Sequence, residues 1–257
     1  MNGAFYIGAV GLDAQQKALD TIANNISNIN TSGFKRTEVR FTEMLASRPD
    51  DGVARADLGA ERITSSGVRS DLMHLLNEQG SVESTGNPLD LAISGNGFIE
   101  LMGAGGETML WRGGPLKVGD EGRLMTASGQ ELKANIIVPA DATGIEIGAD
   151  GVVRATMGSG QTPVEVGQIM LVKLEDPTIV EPVDGGMYRV PDGVQLTDAK
   201  PGEDGAGTLV QGSLERSTVE LNQEMVEMLM VQRAYAANAQ VVQAADQFIA
   251  LANNLRK

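Results

Sequence analysis

Residues 11–36, GLDAQQKALDTIANNISNINTSGFKR, combine an amphipathic helical pattern with a run of neutral amides. Leu12, Leu19 and Ile26 recur at intervals of seven residues, so on a helix they lie along one line. Ile22 lies on a neighbouring line of the same face. This spacing predicts a long helix with a seam like that of a coiled coil. Four asparagines then fall within the seven positions from Asn24 to Asn30, although asparagine favours turns over helices.

The asparagines form a pattern of their own. On a helix, Asn24, Asn25 and Asn28 share one uncharged face with Thr21, beside the apolar seam. An amide both donates and accepts hydrogen bonds, whereas an unpaired buried ion carries a large desolvation penalty. Such a face suits contacts between many copies of one chain, which is our hypothesis for these three residues. A solvated polar face is the alternative.

The residues after the amides have the chemistry of a turn. Residues 30–33 read Asn-Thr-Ser-Gly, and glycine readily takes the left-handed conformation that ends many helices. We therefore expect Gly33 to end the N-terminal helix and Phe34 to pack back on the preceding turn.

The C-terminal segment is a second helical pattern. Residues 213–257 contain neither glycine nor proline. One stripe advances in steps of three and four and consists of Leu221, Met225, Met228, Gln232, Tyr235, Ala239, Val242, Ala245, Ile249, Ala252 and Leu255. The pattern predicts a helix over residues 219–257, about 55 Å long at 1.5 Å per residue.

The middle of the chain is glycine-rich and acidic. It holds 27 of the 32 glycines, and residues 51–210 carry eleven Lys and Arg against twenty-four Asp and Glu, a net charge of −13. Short β-branched segments between glycines predict an all-β region. Asp150-Gly151 suits a two-residue type I′ hairpin turn, residues 119–132 read as a second hairpin, and residues 164–172 alternate like one strand.

These patterns predict an α+β fold in which the terminal helices pair as a coiled coil around an inserted glycine-rich all-β domain. The expected division is a helical polymerisation domain at residues 1–40 and 215–257, an extended segment at 41–80 and a β-rich outer domain at 81–214. The seam should bring Leu12, Leu19, Ile22 and Ile26 against Met225, Met228, Val242 and Ile249. Separate packing of each helix on the β domain is the alternative.

Several function classes are disfavoured by the composition. The acidic middle argues against nucleic acid as a partner, and the absence of cysteine excludes thiolate metal sites and thiol nucleophiles. The lone His74 lies among apolar residues without an evident nucleophile, and residues 120–131 lack the ligands of a calcium loop. We therefore expect no catalytic residue, cofactor or metal.

Three blocks carry a resemblance to a known family. ANNISNINTSGFKR (23–36), EQGSVESTGNPLDLAISGNGFIEL (78–101) and EMVEMLMVQRAYAANAQVVQAAD (224–246) occur in this order over nearly the whole chain. Together they resemble the signatures of bacterial flagellar rod and hook proteins. The third block includes Gln232, Arg233, Tyr235 and Asn238 at the positions of the family pattern.

The resemblance implies a subunit of a flagellar axial filament without enzymatic activity. It implies a helical homopolymer with the terminal helices inside, contacts with other rod and hook subunits and surrounding ring proteins, and transient contacts with the rod cap and export apparatus. It implies location in a rod that spans the periplasm, reached by type III export without a cleaved signal peptide. The subunit contacts would include Asn24, Asn25, Asn28, Thr31, Gly33, Phe34, Lys35, Gln232, Arg233, Tyr235 and Asn238.

The length and the modest middle domain resemble those of a rod subunit more than those of a hook subunit, and within the rod the resemblance is to the distal subunit. A proximal rod or hook subunit remains an alternative within the family. From another class, a secreted acidic β-rich binding protein is the alternative.

Overall fold

The protein is α+β, with a long helix at each end and strands between them. The structure, a computed structural model, describes residues 2–46, 64–76, 78–103, 105–158, 162–174, 179–183, 185–191, 193–203 and 205–254. Helix α1 spans Asn2–Ser27 and helix α2 spans Leu221–Asn254. Both predicted helices are therefore confirmed. Helix α2 begins two residues after the expected start, and residues 255–257 lie outside the described part.

The chain divides into two compact units. The helical unit comprises Met1–Ile26, Thr37–Met73 and Leu221–Lys257, and the β unit comprises Ser27–Arg36 and His74–Glu220. Strands β1 (Thr37–Ala46) and β2 (Thr64–His74) form a two-stranded sheet. Except for His74, both strands belong to the helical unit.

Small residues occupy the buried face of α1. Its buried positions follow a helical line and are Gly8, Ala14, Ala18, Ile22 and Asn25. A Cβ atom at Gly8 would lie only 2.7 Å from Cγ2 of Val242, so the absent side chain permits close approach to α2. Leu12, Leu19 and Ile26 are half-buried.

The expected seam of α2 requires one correction. Met225 is 53% exposed, whereas its neighbour Glu224 is completely buried. Met228 and Val242 are half-buried, and the side chain of Ile249 lies outside the described residues. Helix α2 carries apolar residues on more than one face, so the sequence pattern did not identify which one the chain itself covers.

The β unit contains sixteen described strands joined by short turns. They are β3 (Val82–Ser84), β4 (Asp90–Ser94), β5 (Phe98–Met102), β6 (Thr108–Trp111), β7 (Gly113–Val118), β8 (Leu124–Thr126), β9 (Glu131–Leu132), β10 (Ala142–Ile147), β11 (Val152–Met157), β12 (Val164–Gln168), β13 (Leu171–Lys173), β14 (Glu181–Val183), β15 (Met187–Arg189), β16 (Thr197–Ala199), β17 (Thr208–Gln211) and β18 (Ser213–Glu215).

The main sheet has eleven strands, with the order β14-β15-β6-β5-β9-β8-β7-β4-β17 and with β13 and β16 joined through β5. A three-stranded sheet, β10-β11-β12, and the pair β18-β3 complete the unit. The strand pairs given for this unit are antiparallel. Trp111 lies in the core, and a Cβ atom at Gly114 would be 2.8 Å from its ring, so glycine is needed at that position.

The turns confirm one predicted hairpin and correct another. Strands β8 and β9 pair within residues 119–132, as expected. Strands β10 and β11 also form a hairpin, but only Gly151 has a positive φ, at 83°, whereas a type I′ turn needs two such residues. Gly148 accepts a bond from the Gly151 amide and donates to Val152, which leaves a three-residue loop. Residues 164–172 form two strands, β12 and the start of β13.

Candidate functional site

Asn25 is the centre of an amide junction in the helical unit. It is 1% exposed. Its side chain donates from Nδ2 to the Thr37 carbonyl at 2.9 Å and accepts from the Thr37 amide at 3.1 Å. The same Nδ2 donates to Oε2 of Glu224 at 3.1 Å. Asn25 thus acts as a strand-like partner for the start of β1 and ties α1 to α2.

This junction corrects the hypothesis that Asn25 contacts neighbouring subunits. Its amide is buried and bonded within the chain, as a buried polar group must be. Asn24 and Asn28 differ, because Asn24 is exposed and Asn28 is half-buried, with its Oδ1 accepting a bond from the Thr31 hydroxyl at 3.1 Å. The predicted uniform amide face is therefore divided between the interior and the surface.

The turn after α1 forms, although the helix ends earlier than Gly33. The helix ends at Ser27, and the Thr31 amide donates to the Asn28 carbonyl before the Phe34 amide donates to the Thr31 carbonyl. Gly33 has a φ of 70°, which confirms its left-handed conformation. Gly33, Phe34 and Lys35 are buried in the β unit. Their burial corrects their assignment to a subunit contact.

Lys35 belongs to a buried charge cluster with Arg112 and Glu215. Lys35 Nζ lies 2.5 Å from Glu215 Oε1, and Arg112 Nη2 lies 3.2 Å from Glu215 Oε2. All three side chains are at most 3% exposed. The Gly80 amide also donates to Glu215 Oε1 at 2.8 Å. One carboxylate therefore receives donors from three separate parts of the chain.

Backbone carbonyls complete the cluster. Lys35 Nζ donates to the Glu78 carbonyl, and Arg112 donates to the Gly97 carbonyl at 2.6 Å and to the Gly95 carbonyl at 2.9 Å. The Arg112 guanidinium also lies 5.5 Å from the centre of the Phe98 ring. Burial and the Arg112 charge lower the pKa of Lys35, and Glu215 opposes that shift. The cluster is thus tightly bonded but contains two cations and one anion.

The same place joins the two ends of the β unit. The Gly33 amide donates to the Glu215 carbonyl at 2.9 Å, and the Thr218 amide donates to the Phe34 carbonyl at 3.1 Å. The segments that begin and end the unit therefore run side by side at the cluster. Sequence reasoning missed Arg112 and Glu215, because their partners lie 103 and 180 residues away and no local pattern connects them.

The contacts of the two helices run in opposite directions along the sequence. Gly8 lies against Val242, the site of a Cβ at Gly11 is 3.0 Å from Nδ2 of Asn238, and Asn25 bonds to Glu224. Residue numbers rise along α1 as they fall along α2. Within the helical unit, the two helices therefore lie antiparallel.

A second apolar face of α2 is exposed, and we call it the outer stripe. Its members are Val226, Met230, Ala234, Ala237, Val241, Ala244 and Phe248. At 3.6 residues per turn these residues fall within about 80° of one another, and about 120° from the buried face. Met230 is 60% exposed and Phe248 is 67% exposed. Gln232, Arg233 and Tyr235 are exposed beyond this stripe, and Asn238 is half-buried.

Three further observations bear on the class of site. The described residues contain no group of three or more His, Cys, Asp or Glu side chains placed to hold a metal ion. Neither α1 nor α2, as far as they are described, is long and apolar enough to cross a membrane. His74 is half-buried at the end of β2, and burial lowers its pKa. The notable geometry therefore lies in the helix faces and the buried charge cluster.

Comparisons with known proteins agree with these features. Residues 5–35 match a model described as a flagella basal body rod protein, residues 92–155 match the D1 domain of the flagellar hook protein FlgE/F/G, and residues 210–255 match the C-terminal part of the flagellar basal body rod FlgEFG proteins.

Relatives named FlgG align over essentially the whole chain. The flagellar basal-body rod protein FlgG of Borreliella burgdorferi is 32% identical over 100% of both chains, and that of Bacillus subtilis is 31% identical over 99% of both. The flagellar hook protein FlgE of Rhizobium meliloti is 33% identical, but over 61% of this chain and 36% of its own. This chain therefore belongs to the flagellar basal-body rod protein family, whose members are structural proteins and not enzymes.

Proposed function

We propose that this rod subunit polymerises with copies of itself into a helical tube, which transmits torque and conducts exported subunits. The observation that carries the proposal is the outer stripe of α2. A long helix with one apolar face against its own chain and another facing solvent is typical of a protein that buries the second face on assembly.

Within each subunit, α1 and α2 form the paired helical seam of the tube wall. The antiparallel contacts at Gly8, Gly11 and Asn25 support this coiled-coil-like pairing. The outer stripe is then free to meet helices of neighbouring subunits. The polar residues proposed to flank these contacts are Asn24, Asn28, Thr31, Gln232, Arg233, Tyr235 and Asn238. The glycine-rich β unit is the inserted domain that lies outside the tube.

The distal rod is the position that the relatives favour. Those named FlgG match over essentially their full length, whereas the hook protein matches over about a third of its own. A proximal rod position remains the alternative within the family. Membership of the family removes the reason to consider a secreted binding protein.

A place in the distal rod brings further partners. They are other rod and hook subunits, the surrounding basal-body rings and, during assembly, the rod cap and the export apparatus. The rod would span the periplasm, and its subunits would arrive by type III export without a cleaved signal peptide. No small-molecule substrate or cofactor is needed for this role.

The outer stripe can be tested by replacing two of its residues with polar residues of similar shape. We expect a variant with Met230→Gln and Val241→Thr to remain folded but to require at least about a tenfold higher protein concentration to polymerise, since burial of each native side chain contributes about 1.5–3 kcal/mol. The measurement is the critical concentration for polymerisation, determined by sedimentation and checked by electron microscopy.

The matched control makes the same exchanges in the β unit. Met102 and Val118 are also exposed apolar residues, at 52% and 40%. A variant with Met102→Gln and Val118→Thr should polymerise at the concentration of the native protein. Equal effects of the two double variants, or normal polymerisation of the first, would contradict the role of the outer stripe.

A further inference from the structure

We propose that the β unit cannot close until Glu215 joins the buried charge cluster and neutralises its cations. A chain in which residue 215 has not yet arrived then cannot complete this part of the fold. The inference concerns the order of folding, and it goes beyond the proposed role in the rod without depending on it.

The order of the charges along the chain is the first step. Both cations, Lys35 and Arg112, precede the anion, and Arg112 is separated from Glu215 by 103 residues. Chains are synthesised from the N-terminus, and domains generally fold as units during or after emergence. The two cations are thus available to the growing chain long before their shared counter-charge.

The environment of the cations is the second step. Lys35 and Arg112 contact the same carboxylate and are at most 3% exposed. Without that carboxylate, closure would bring two like charges together away from water. Burial of uncompensated charge is strongly unfavourable, and the carbonyls of Glu78, Gly95 and Gly97 supply hydrogen bonds but no negative charge. The charge of the Glu78 side chain also acts on Lys35, but less strongly than that of Glu215.

The position of Glu215 is the third step. It lies at the end of β18, which pairs with β3, and its backbone carbonyl accepts the Gly33 amide. Glu215 therefore neutralises the cluster at the moment when the last strand of the β unit joins the first segment. Charge neutralisation and closure of the unit are one event.

Exchange of Glu215 for glutamine tests the effect of the charge alone, without changing the connectivity of the strands. Glu215→Gln retains the length of the side chain and every strand of the full-length protein, but removes the negative charge. Trp111, the single tryptophan, reports on the β-unit core. We expect refolding from denaturant, followed by Trp111 fluorescence, to slow by about tenfold or more while unfolding changes much less, as for an interaction already formed in the folding transition state.

A second variant identifies repulsion as the cause. Adding Lys35→Met to Glu215→Gln removes one of the two like charges, so we expect the double variant to regain most of the native refolding rate. The matched control is Glu83→Gln at the exposed ion pair of Glu83 and Arg216, where both side chains are more than half exposed. That control should change refolding by less than about twofold.

Two results would overturn the inference. One is a Glu215→Gln variant that refolds at the native rate and only unfolds faster, because the cluster would then form after closure. The other is a Lys35→Met/Glu215→Gln variant that refolds no faster than Glu215→Gln. If Glu215→Gln alone fails to fold, folding of the double variant supports the proposal and its failure to fold overturns it.

Discussion

The β unit and the helical unit differ in the residues that they bury and expose. The first buries charged side chains, and the second exposes apolar ones. The β unit buries the charged side chains of Lys35, Arg112 and Glu215 and supplies each with partners from its own chain. The helical unit leaves large apolar residues of α2 exposed, and the buried Oε1 of Gln15 in α1 has no hydrogen-bond partner within the described part of the chain. The β unit thus satisfies the charges of this cluster with its own chain, whereas the helical unit leaves an apolar face of α2 available for additional contacts.

The largest expected effect comes from comparing one leucine in each unit. Leu91 is completely buried in β4, and Leu229 is 55% exposed on α2. We expect Leu91→Ala to lower the free energy of unfolding by about 2–5 kcal/mol, because it removes buried methyl groups and leaves a cavity. Leu229→Ala should change the stability of the monomer by less than about 0.5 kcal/mol.

Urea unfolding measures both variants. Trp111 fluorescence reports on the β unit, and far-ultraviolet circular dichroism reports on the helices. If Leu229→Ala destabilises the dilute monomer as much as Leu91→Ala does, α2 already buries this face within the subunit. The contrast between the two units would then fail.

The sequence predicted the elements of the fold better than their contacts. Helix periodicity and glycine-bounded turns are local properties of the chain, so both helices and the β-rich middle were recognised. The buried face of α1 was harder to identify, since Gly8, Ala14 and Ala18 carry little hydrophobic signal. At Gly8 the missing side chain permits the close approach of α2, which only the tertiary structure reveals.

For the candidate site too, the sequence predicted the local structure but not the contacts between residues far apart in the chain. The turn at residues 30–33 was predictable because its residue types prescribe its backbone. Lys35 was assigned by resemblance to a subunit contact, but its true partners are Glu215 and the carbonyl of Glu78. Such contacts leave no periodic trace in the sequence, because the residues that meet lie on different parts of the chain.

A smaller effect is expected from two adjacent asparagines. Asn25→Ala should cost about 1–3 kcal/mol of stability, because it removes buried hydrogen bonds to Thr37 and Glu224. Asn24 is exposed, so Asn24→Ala should cost less monomer stability than Asn25→Ala, and better helix propensity should offset part of that cost. Thermal unfolding followed by circular dichroism distinguishes the two.

Comparing the exposed and the buried asparagines also tests which of them contact neighbouring subunits. Asn24→Ala together with Asn28→Ala should weaken polymerisation of a stable monomer, whereas Asn25→Ala should weaken the monomer first. A motility assay, with export of the subunit measured separately, relates these effects to rod assembly. Normal swimming by the Asn24 and Asn28 double variant would mean that both side chains face solvent in the rod and make no subunit contact.

The smallest expected effect is the pH dependence at His74. Burial lowers the pKa of His74 below its ordinary value of 6.5, because it penalises the charged imidazolium. The folded protein then binds this proton more weakly than the unfolded chain does. The contribution of His74 is therefore neutral above about pH 6.5, becomes destabilising as the pH falls through that value, and levels off below the lowered pKa.

His74→Gln isolates this contribution from the many carboxylates that titrate at lower pH. Its thermal midpoint should match the pH dependence of the native protein above pH 7, and the native protein should lose more stability than the variant between about pH 6.5 and 5. A parallel pH dependence of both proteins would mean that His74 gains its proton equally well folded and unfolded. Since His74 begins the second segment of the β unit, a difference confined to Trp111 fluorescence would place the effect in that unit, and one confined to circular dichroism would place it with the helices.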